Sequence, residues 1–530
     1  MRLTRFVARL SAPLLVLSGQ AAAKTKAHLE VTPIQKVTDP AQGGFRPFVE
    51  FTVAGQVMKG LLDTGSSDWI IPRTGSAFCK GAGEQCDGLR TGFKAGSFDM
   101  AQAGAQVRDL EQPLSAKYTG GASFGGRFIQ APLRLSSKGK PITVQMGLIE
   151  SGGVPQGQVS FPVLGVGPVD GECAPVRYAN VPAQFKESGR TKVNAFGLFL
   201  GDFRSAHSGS IVWGGYDAAK FDGKLKTAPL VKNKNGAVSS FVVNLSSIRL
   251  TSSTGSPVRG ASTQANPRRQ RSSENLYQES SGISSRSEDA EVPDTESMSI
   301  APTLFGRFKG KSSYKHLLTG MTSKAIFRRE QSGNILTNDA PQVVTLDTGV
   351  PQIIVPQGTL QKLKQLLGAQ TGPQGDFLVD CQRIVGMDLV FGMNKEEIQI
   401  RVPLDSIMPS NAPTRAGGAL GRRSGDDGAN QTPGHEQDGN GWVGIASGKA
   451  NVGGGSGGSY GAGSGGTCSL LLGAVTAQGG GNAVLGAPAL QHMYAIFDMD
   501  SKAVLMAQAK VDETRVDLRE YIPAGRALAN

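Results

Sequence analysis

The sequence has few of the residues that mark several common classes of protein. Charged residues make up 18% of its 530 positions and aromatic residues only 6%, and no run of five Lys or Arg occurs. The net charge of +12 is therefore spread along the chain, whereas nucleic-acid binding requires a basic cluster with interleaved aromatic side chains. We expect no nucleic-acid partner.

Metal-binding and membrane-spanning patterns are also missing. The five Cys and five His form neither a C-x-x-C nor an H-E-x-x-H motif, so the sequence predicts no metal site, and no motif indicates a cofactor. No stretch approaches the roughly 18 uninterrupted apolar residues of a membrane helix. Because residues 515–530 are polar, we expect neither a membrane span nor a lipid anchor.

The first 23 residues have the three parts of a secretory signal peptide. Three arginines precede an apolar stretch from Leu10 to Leu17, and Ala21–Ala23 supply small residues for cleavage. The sequence therefore predicts that residues 1–23 are removed, that the mature chain begins near Lys24, and that the protein is secreted into the extracellular space.

Secretion would place the cysteines in an oxidising environment. The simplest account pairs Cys79 with Cys86 and Cys381 with Cys468, and it leaves Cys173 unpaired. The sequence alone permits other pairings. Two disulfide bonds and one thiol are expected.

Short apolar runs separated by Gly, Ser and Asp turns dominate the chain, which contains 72 glycines. Runs such as Phe48–Val53, Phe241–Leu245 and Ile398–Val402 are typical of β-strands. One helix is predicted over Thr359–Leu367, where leucines recur at helical spacing. The pattern predicts an all-β fold.

Two segments depart from this pattern. Residues 255–340 are rich in Ser and mixed charge, and residues 411–467 are rich in Gly, so neither can bury enough apolar surface to offset the entropy lost on ordering. Both are expected to be flexible insertions. They leave a first lobe at 24–254, a second lobe at 341–512, interrupted by the Gly-rich insertion, and a polar tail at 513–530.

The two lobes carry matching motifs. Leu61–Gly65 is followed by Val163–Gly165 in the first, and Thr345–Gly349 is followed by Val484–Gly486 in the second. This repeat predicts an approximate duplication of one all-β unit.

Each copy contains the tripeptide D-T-G at the end of an apolar run. A strand that ends in a carboxylate, a small hydroxyl and a glycine places the acid at the wall of a cleft, and the glycine allows close approach of another backbone. If the two loops face each other, Asp63 and Asp347 lie together, and two like charges at that distance cannot both ionise.

These motifs resemble those of the pepsin family of aspartic endopeptidases, and in particular its secreted fungal and yapsin-like branch. Further matches are the flap-like pattern from Tyr118 through Gly121 to Gly125 and the sequence Gly214–Asp217. The resemblance leaves out both insertions. It implies a bilobal all-β fold, with two related β lobes and the active-site cleft between them.

The resemblance also implies roles for the matched residues. The two aspartates would share a proton and activate one water molecule for attack on a peptide carbonyl. The two threonines would hydrogen-bond between the loops, Ser66 would donate to Asp63, and Tyr118 would close over the substrate on a mobile hairpin. The expected site residues are catalytic Asp63 and Asp347, supporting Thr64, Gly65, Ser66, Thr348 and Gly349, and Tyr118 and Gly121 in the flap.

Two departures from the family's pattern concern the site. Val350 follows the second D-T-G where the family usually has Thr or Ser, so Asp347 lacks a hydroxyl donor. Trp69 stands one position earlier than the family's tryptophan, with Ile70 in its place, and strand alternation should turn its ring away from the flap tyrosine.

The sequence therefore predicts a monomeric, secreted aspartic endopeptidase that hydrolyses polypeptide substrates at acidic pH. The alternative is a binding protein of the same fold with weakened catalysis, located at the cell wall or in the extracellular space. The basic charge would suit an anionic cell-wall surface in both cases. The presence of both aspartates favours the enzyme.

Overall fold

The computed structural model describes residues 28–38, 44–80, 86, 93–118, 121–135, 139–154, 161–204, 209–252, 334–336, 342–373, 375–409, 466–475 and 482–523. All of them belong to one compact unit formed by Met1–Val258 and Gly333–Asn530. The predicted signal peptide and most of both predicted insertions lie outside the described residues.

The described part of the first half of the chain is mostly strands, with three short α-helices and three single-turn 3-10 helices. The strands are β1 (Glu30–Thr38), β2 (Phe45–Val53), β3 (Gln56–Asp63), β4 (Trp69–Pro72), β5 (Arg108–Lys117), β6 (Ser123–Arg134), β7 (Ile142–Gly153), β8 (Val163–Gly165), β9 (Ala195–Phe199), β10 (Gly209–Trp213), β11 (Gly215–Asp217) and β12 (Lys226–Pro229). The helices are α1 (Ala77–Lys80), α2 (Met100–Ala103) and α3 (Val181–Glu187).

The described part of the second half also consists mainly of strands with a few helices. Its strands are β13 (Val242–Ser252), β14 (Asn334–Ile335), β15 (Gln342–Leu346), β16 (Ile353–Val355), β17 (Gln370–Thr371), β18 (Phe377–Asp380), β19 (Met387–Met393), β20 (Ile398–Pro403), β21 (Thr467–Leu470), β22 (Leu472–Ala474), β23 (Ala483–Leu485), β24 (Met493–Asp498), β25 (Ala503–Gln508) and β26 (Leu518–Glu520). Its helices are α4 (Gln357–Leu367), α5 (Cys381–Ile384) and α6 (Ala487–Leu490).

Two sheets have the same local topology around the D-T-G motifs. In the first lobe, with strand order β1-β2-β3-β8-β4-β7-β6-β5, strand β3 runs parallel to β8, β4 antiparallel to β8, and β4 parallel to β7. In the second lobe, with order β20-β19-β13-β15-β23-β16-β22, the pairs β15–β23, β16–β23 and β16–β22 have the same three orientations. The predicted all-β fold with two related lobes is confirmed.

A third set of strands draws on both halves of the chain. Its order is β12-β25-β24-β9-β10-β1, and β24 from the second half pairs with β9 from the first. Residues 493–508 therefore share a sheet with strands of the first half, although the sequence analysis assigned them to the second lobe. Composition alone does not reveal such pairing, because strands of both halves have the same apolar character.

The predicted boundary at 254 is wrong. Strand β13 pairs with β15 and β19 of the second lobe, so the first lobe ends before Val242. The Ser-rich composition begins just after this strand, which ends at Ser252. Composition marks the end of a strand, whereas hydrogen-bond pairing decides to which sheet the strand belongs.

Three other predicted boundaries also move. Strand β14 pairs with β13, and Leu336 is buried, so the end of the 255–340 segment belongs to the fold. Strand β21 begins at Thr467, inside the predicted Gly-rich insertion. The predicted polar tail contains β26, which pairs with β11, and the buried Tyr521, whose hydroxyl donates to Asp498 at 2.8 Å.

The apolar runs pack into a continuous core. All four residues of β4 and all six of β24 are buried, and the Phe241 and Phe497 rings lie 4.4 Å apart. Each such side chain contributes roughly 1.5–3 kcal/mol on burial. The predicted helix is confirmed as α4, which buries three leucines and ends at Gly368 with a φ of 62°.

Both expected disulfide bonds are present, Cys79–Cys86 and Cys381–Cys468, and Cys173 is a free, half-buried thiol. None of the helices in the described part of the chain is both long and apolar enough to cross a membrane.

Candidate active site

The two D-T-G loops begin where a strand leaves its sheet. Asp63 is the last residue of β3 and is only 6% exposed, while Asp347 directly follows β15 and is partly exposed. The Val166 amide donates to the Asp63 carbonyl at 2.9 Å, and the Asp347 amide donates to the Leu485 carbonyl at 3.0 Å. The backbone of each aspartate is thus held by the strand that runs parallel to its own. Val166 directly follows β8, and Leu485 ends β23.

The two threonines link the loops through four hydrogen bonds. Each hydroxyl accepts from the other threonine's amide, at 3.1 Å for Thr64 N to Thr348 Oγ1 and at 2.9 Å for Thr348 N to Thr64 Oγ1. Each also donates to a carbonyl across the loops, Thr64 Oγ1 to Leu346 at 2.8 Å and Thr348 Oγ1 to Leu62 at 2.6 Å. Both threonines are fully buried, so the loops are held as one rigid pair.

The glycines of the motifs leave room for the opposite carboxyl group. A Cβ atom on Gly65 would lie 2.3 Å from Asp347 Oδ2, and one on Gly349 would lie 2.6 Å from Asp63 Oδ1. No side chain can occupy either position without displacing a carboxyl group. Each carboxyl group therefore lies directly against the loop that carries the other.

The donors to the two carboxyl groups differ. Asp63 accepts from the Gly65 amide at 2.8 Å and from the Ser66 hydroxyl at 2.5 Å. Asp347 accepts from the Gly349 amide at 2.8 Å and hydrogen-bonds the Asp63 carboxyl. The first carboxylate thus has one more donor of its own.

The surroundings of Asp347 shift the pKa of its carboxyl group. Removal from water, the negative charge of Asp63 and the hydrogen bond with Asp63 raise the pKa of Asp347 well above its ordinary value. The Gly349 amide and the positive charge of Arg46 oppose the rise. On balance these surroundings favour the protonated form of Asp347.

Arg46 also belongs to the site, and it was not predicted from the sequence. Its Nη1 donates to the Gly349 carbonyl at 3.1 Å, so it reaches the second loop from the first lobe. It lies 303 positions before Gly349, and no local motif marks it. Only the pairing of the two lobes brings it to the site.

The flap residues lie at the turn between β5 and β6. The Tyr118 amide donates to the Ala122 carbonyl at 2.9 Å, and Gly121 donates to the Tyr118 carbonyl at 2.9 Å with a φ of 89°. This left-handed conformation suits glycine and closes the hairpin.

The Tyr118 side chain points to the first D-T-G loop. Its ring packs edge-on to Phe124 at 5.6 Å, and its hydroxyl hydrogen-bonds Ser66. Burial, followed by the negative charge of Asp63, raises the pKa of Tyr118 well above its ordinary value, so the phenol stays protonated.

The Trp69 ring turns away from the flap, as strand alternation predicted. It packs edge-on to Phe51 at 5.3 Å, and its buried Nε1 has no hydrogen-bond partner among the described residues. Ile70 instead packs in the apolar cluster that contacts Tyr118.

A buried acidic cluster behind the first loop was not predicted. Asp68 accepts from the Tyr178 hydroxyl at 2.9 Å and from the Cys173 amide at 2.7 Å. Burial raises the pKa of Glu172 to about 8, and the Tyr178 amide donates to this carboxyl at 3.0 Å. Asp68, five residues after Asp63, was the one sequence signal, but its partners are about 100 positions away.

Within the described residues, no group of three or more His, Cys, Asp or Glu side chains is arranged to hold a metal ion.

Comparisons with known proteins point in one direction. A family model described as eukaryotic aspartyl protease matches residues 49–282 and 316–418. The chain is 30% identical over 217 residues to a probable aspartic-type endopeptidase OPSB of Arthroderma otae, covering 38% of this chain and 40% of that protein. It is 35% identical over 188 residues to candidapepsin-2 of Candida parapsilosis, covering 34% of this chain and 40% of that protein.

Structural similarity extends further along the chain. The crystal structure of an aspartic proteinase from Irpex lacteus has a TM-score of 0.52 and 14% identity, covering 92% of this chain and 100% of that one. At this identity the likeness concerns the fold. The sequence matches span about two fifths of the length of these curated relatives.

Proposed function

Because the chain belongs to the eukaryotic aspartyl protease family, we propose that it is an aspartic endopeptidase that hydrolyses peptide bonds in proteins at acidic pH. The observation that carries this proposal is the pair of carboxyl groups held against each other by the threonine-linked loops. In addition, the two carboxyl groups share one proton, so the protonated group can act as an acid and the ionised group as a base.

The proposed reaction uses the two aspartates in turn. Asp63, whose charge is stabilised by Ser66 and Gly65, accepts a proton from a water molecule. At the same time the water oxygen attacks the carbonyl carbon of the substrate. Asp347 donates its proton to the carbonyl oxygen, which gives a tetrahedral diol. Asp63 then passes its proton to the amide nitrogen, the C–N bond breaks, and a diol hydroxyl returns a proton to Asp347.

In this proposal the flap shields the reaction from bulk water. Tyr118 lies over the first loop on a hairpin whose turn is closed by Gly121. A hairpin of this kind can open for substrate and close on it.

We also propose that the protein is secreted and monomeric. The chain is 30% identical over 215 residues to a protein of Candida albicans named secreted aspartic protease 8, which supports extracellular action. The alternative, a binding protein of the same fold with weakened catalysis, is less favoured, because both aspartates are present and each accepts from the glycine amide of its own loop.

The test is digestion of denatured haemoglobin between about pH 2 and pH 8, with and without the aspartic-peptidase inhibitor pepstatin. We expect acid-dependent, pepstatin-sensitive hydrolysis that falls by about 10³-fold or more in Asp63→Asn and Asp347→Asn, since one carboxyl group cannot perform both proton transfers. Asp376→Asn, which changes an exposed aspartate of the second lobe, is the control. Undiminished hydrolysis by either dyad variant would eliminate the proposed mechanism.

A further inference from the structure

The two D-T-G loops differ at their fourth residue. Ser66 donates to Asp63 at 2.5 Å, but the equivalent residue of the second loop is Val350, which has no side-chain donor. The backbone of Val350 is occupied otherwise, because its carbonyl accepts from the Ala487 amide at 2.8 Å and its amide donates to the Asp347 carbonyl at 3.3 Å. The outer side of the Asp347 carboxyl group therefore lacks the local donor that Asp63 has.

Strand β2 of the first lobe approaches this part of the second loop. A Cβ atom on Gly44 would lie 3.1 Å from the Pro351 carbonyl oxygen, so the chain passes directly against the residue after Val350. The ring of Phe45, 5.7 Å from that of Phe203, anchors the start of the strand. Pairing of Arg46 with Val37 in β1 then fixes the backbone from which the Arg46 side chain extends.

The Arg46 side chain is half-buried and ends at the second D-T-G loop. Its Nη1 donates to the Gly349 carbonyl at 3.1 Å. Gly349 is the same residue whose amide donates to Asp347 Oδ1 at 2.8 Å. Arg46 therefore positions Gly349, whose amide donates to the Asp347 carboxyl group.

The charge of Arg46 acts in the same direction. Among the described residues, the charged groups that act on the Asp347 carboxyl from the elements packed against it are Asp63, which disfavours its ionised form, and Arg46, which favours it. A positive charge beside a carboxyl group lowers its pKa, as a hydroxyl donor does.

We propose that Arg46 is a positioning residue for Asp347, supplying from the first lobe the stabilisation that Ser66 gives Asp63 within its own loop. This inference rests on the proposed function, because it concerns the proton balance of the dyad. The guanidinium suits the task, since it stays charged over the whole working range and can direct its donors at a fixed carbonyl. Val350 is then tolerated because the missing donor is replaced through space.

The pH profile is the discriminating readout. Without the positive charge, the ionised forms of the dyad are less stable, so both the acid and the alkaline limbs of kcat/KM should move to higher pH. We expect a shift of about half a unit to one unit for Arg46→Gln and a smaller one for Arg46→Lys, which keeps the charge but not the fork of donors. Arg134→Gln removes an exposed charge opposite the far end of β2 and should leave both limbs in place.

A second substitution restores the local donor. In the double variant Arg46→Gln/Val350→Thr, the new hydroxyl should move the limbs back toward the wild-type positions. Limbs of Arg46→Gln that coincide with the wild type, or equal shifts for Arg46→Gln and Arg46→Lys, would overturn the proposal. If the wild type has pepstatin-sensitive activity but the limbs of Arg46→Gln do not move, only this inference is contradicted. If the wild type is inactive, the proposed function is contradicted.

Thermal unfolding tests the same coupling without activity. Since Arg46 favours the ionised dyad, the unfolding temperature of wild type should exceed that of Arg46→Gln by a margin that grows as pH rises through the titration of the dyad. The difference in unfolding temperature between wild type and Arg134→Gln should not change with pH. A margin independent of pH would mean that Arg46 contributes packing only, which overturns its proposed role.

Discussion

The loop after β3 and the loop after β15 hold their aspartates with the same backbone and with different side chains. Each uses the amide of the D-T-G glycine, at 2.8 Å in both cases, as a donor to its own carboxyl group. The first adds Ser66 from its own sequence, and the second has Arg46 from the other lobe. Duplication thus accounts for the symmetry of the site, and a few side chains make the surroundings of the two carboxyl groups differ.

The surroundings of the two loops differ as well. Behind the first loop lie the buried carboxyl groups of Asp68 and Glu172. Behind the second, the backbone of Val350 is hydrogen-bonded to Ala487, at the start of the buried helix α6. Buried carboxyl groups therefore lie behind the first loop, whereas an apolar helix lies behind the second.

The largest effect expected from breaking the symmetric part of the site concerns the threonines. Thr64→Val and Thr348→Val each remove a donor to a buried carbonyl and an acceptor for a buried amide, so each should destabilise the fold by about 2–4 kcal/mol. Because the two threonines make equivalent bonds, the two losses should agree closely. Urea unfolding measures both, and the exposed Thr227→Val serves as a control expected to stay within about 0.5 kcal/mol of wild type.

A clear inequality between the two threonine variants would contradict this symmetry. It would mean that one loop has an alternative partner for its amide or carbonyl group once the other threonine is lost.

Sequence reasoning reached this symmetric part because the repeat is local. The D-T-G motifs and the Gly-ended apolar pairs are short, and each reports on the strand that carries it. The structure adds the pairing: Asp63 lies opposite Gly165 in parallel strands, and Leu346 lies opposite Leu485 in the same way in the second copy. Arg46 and the lobe assignment of β13 depend on contacts between distant strands, and composition and spacing do not encode those contacts.

The orientation of the Trp69 ring could be predicted from one local rule, the alternation of side chains along a strand. Alternation of side chains along β4 was enough to predict that its ring leaves the flap. That its Nε1 has no hydrogen-bond partner among the described residues could not be predicted, because this depends on which side chains of the core surround the ring.

The next prediction concerns the ionisable group behind the first loop. Burial raises the pKa of Glu172 from its ordinary 4.5 to about 8, so the folded protein binds this proton more tightly than the unfolded chain. The resulting stabilisation is fully present below about pH 4.5 and is lost as pH rises through about 8. Glu172→Gln cannot ionise and keeps an acceptor for the Tyr178 amide.

We therefore expect Glu172→Gln to match wild type in acid and to exceed it in free energy of unfolding by a growing margin toward pH 8. Unfolding by urea at a series of pH values measures the margin. Glu187→Gln, on the exposed face of α3, is the matched control and should show no such trend. A margin that shrinks with pH would mean that Glu172 is ionised in the folded protein and stabilised by a partner.

The smallest expected effect tests the asymmetric part of the comparison directly. Val350→Thr adds a hydroxyl donor beside Asp347 at nearly constant volume, and a hydrogen bond to the ionised form lowers the pKa of a carboxyl group. The alkaline limb of the kcat/KM profile, which reports loss of the Asp347 proton, should therefore move to lower pH, by a few tenths of a unit because Arg46 already favours the ionised form. Ser66→Ala is the mirror experiment in the first loop and should move the acid limb, which reports ionisation of Asp63, to higher pH. If Val350→Thr leaves the alkaline limb in place in the wild type but lowers it when Arg46 is Gln, the guanidinium already performs the hydroxyl's task in full. An upward shift would contradict the argument, since it would require the threonine hydroxyl to accept from, rather than donate to, the Asp347 carboxyl group.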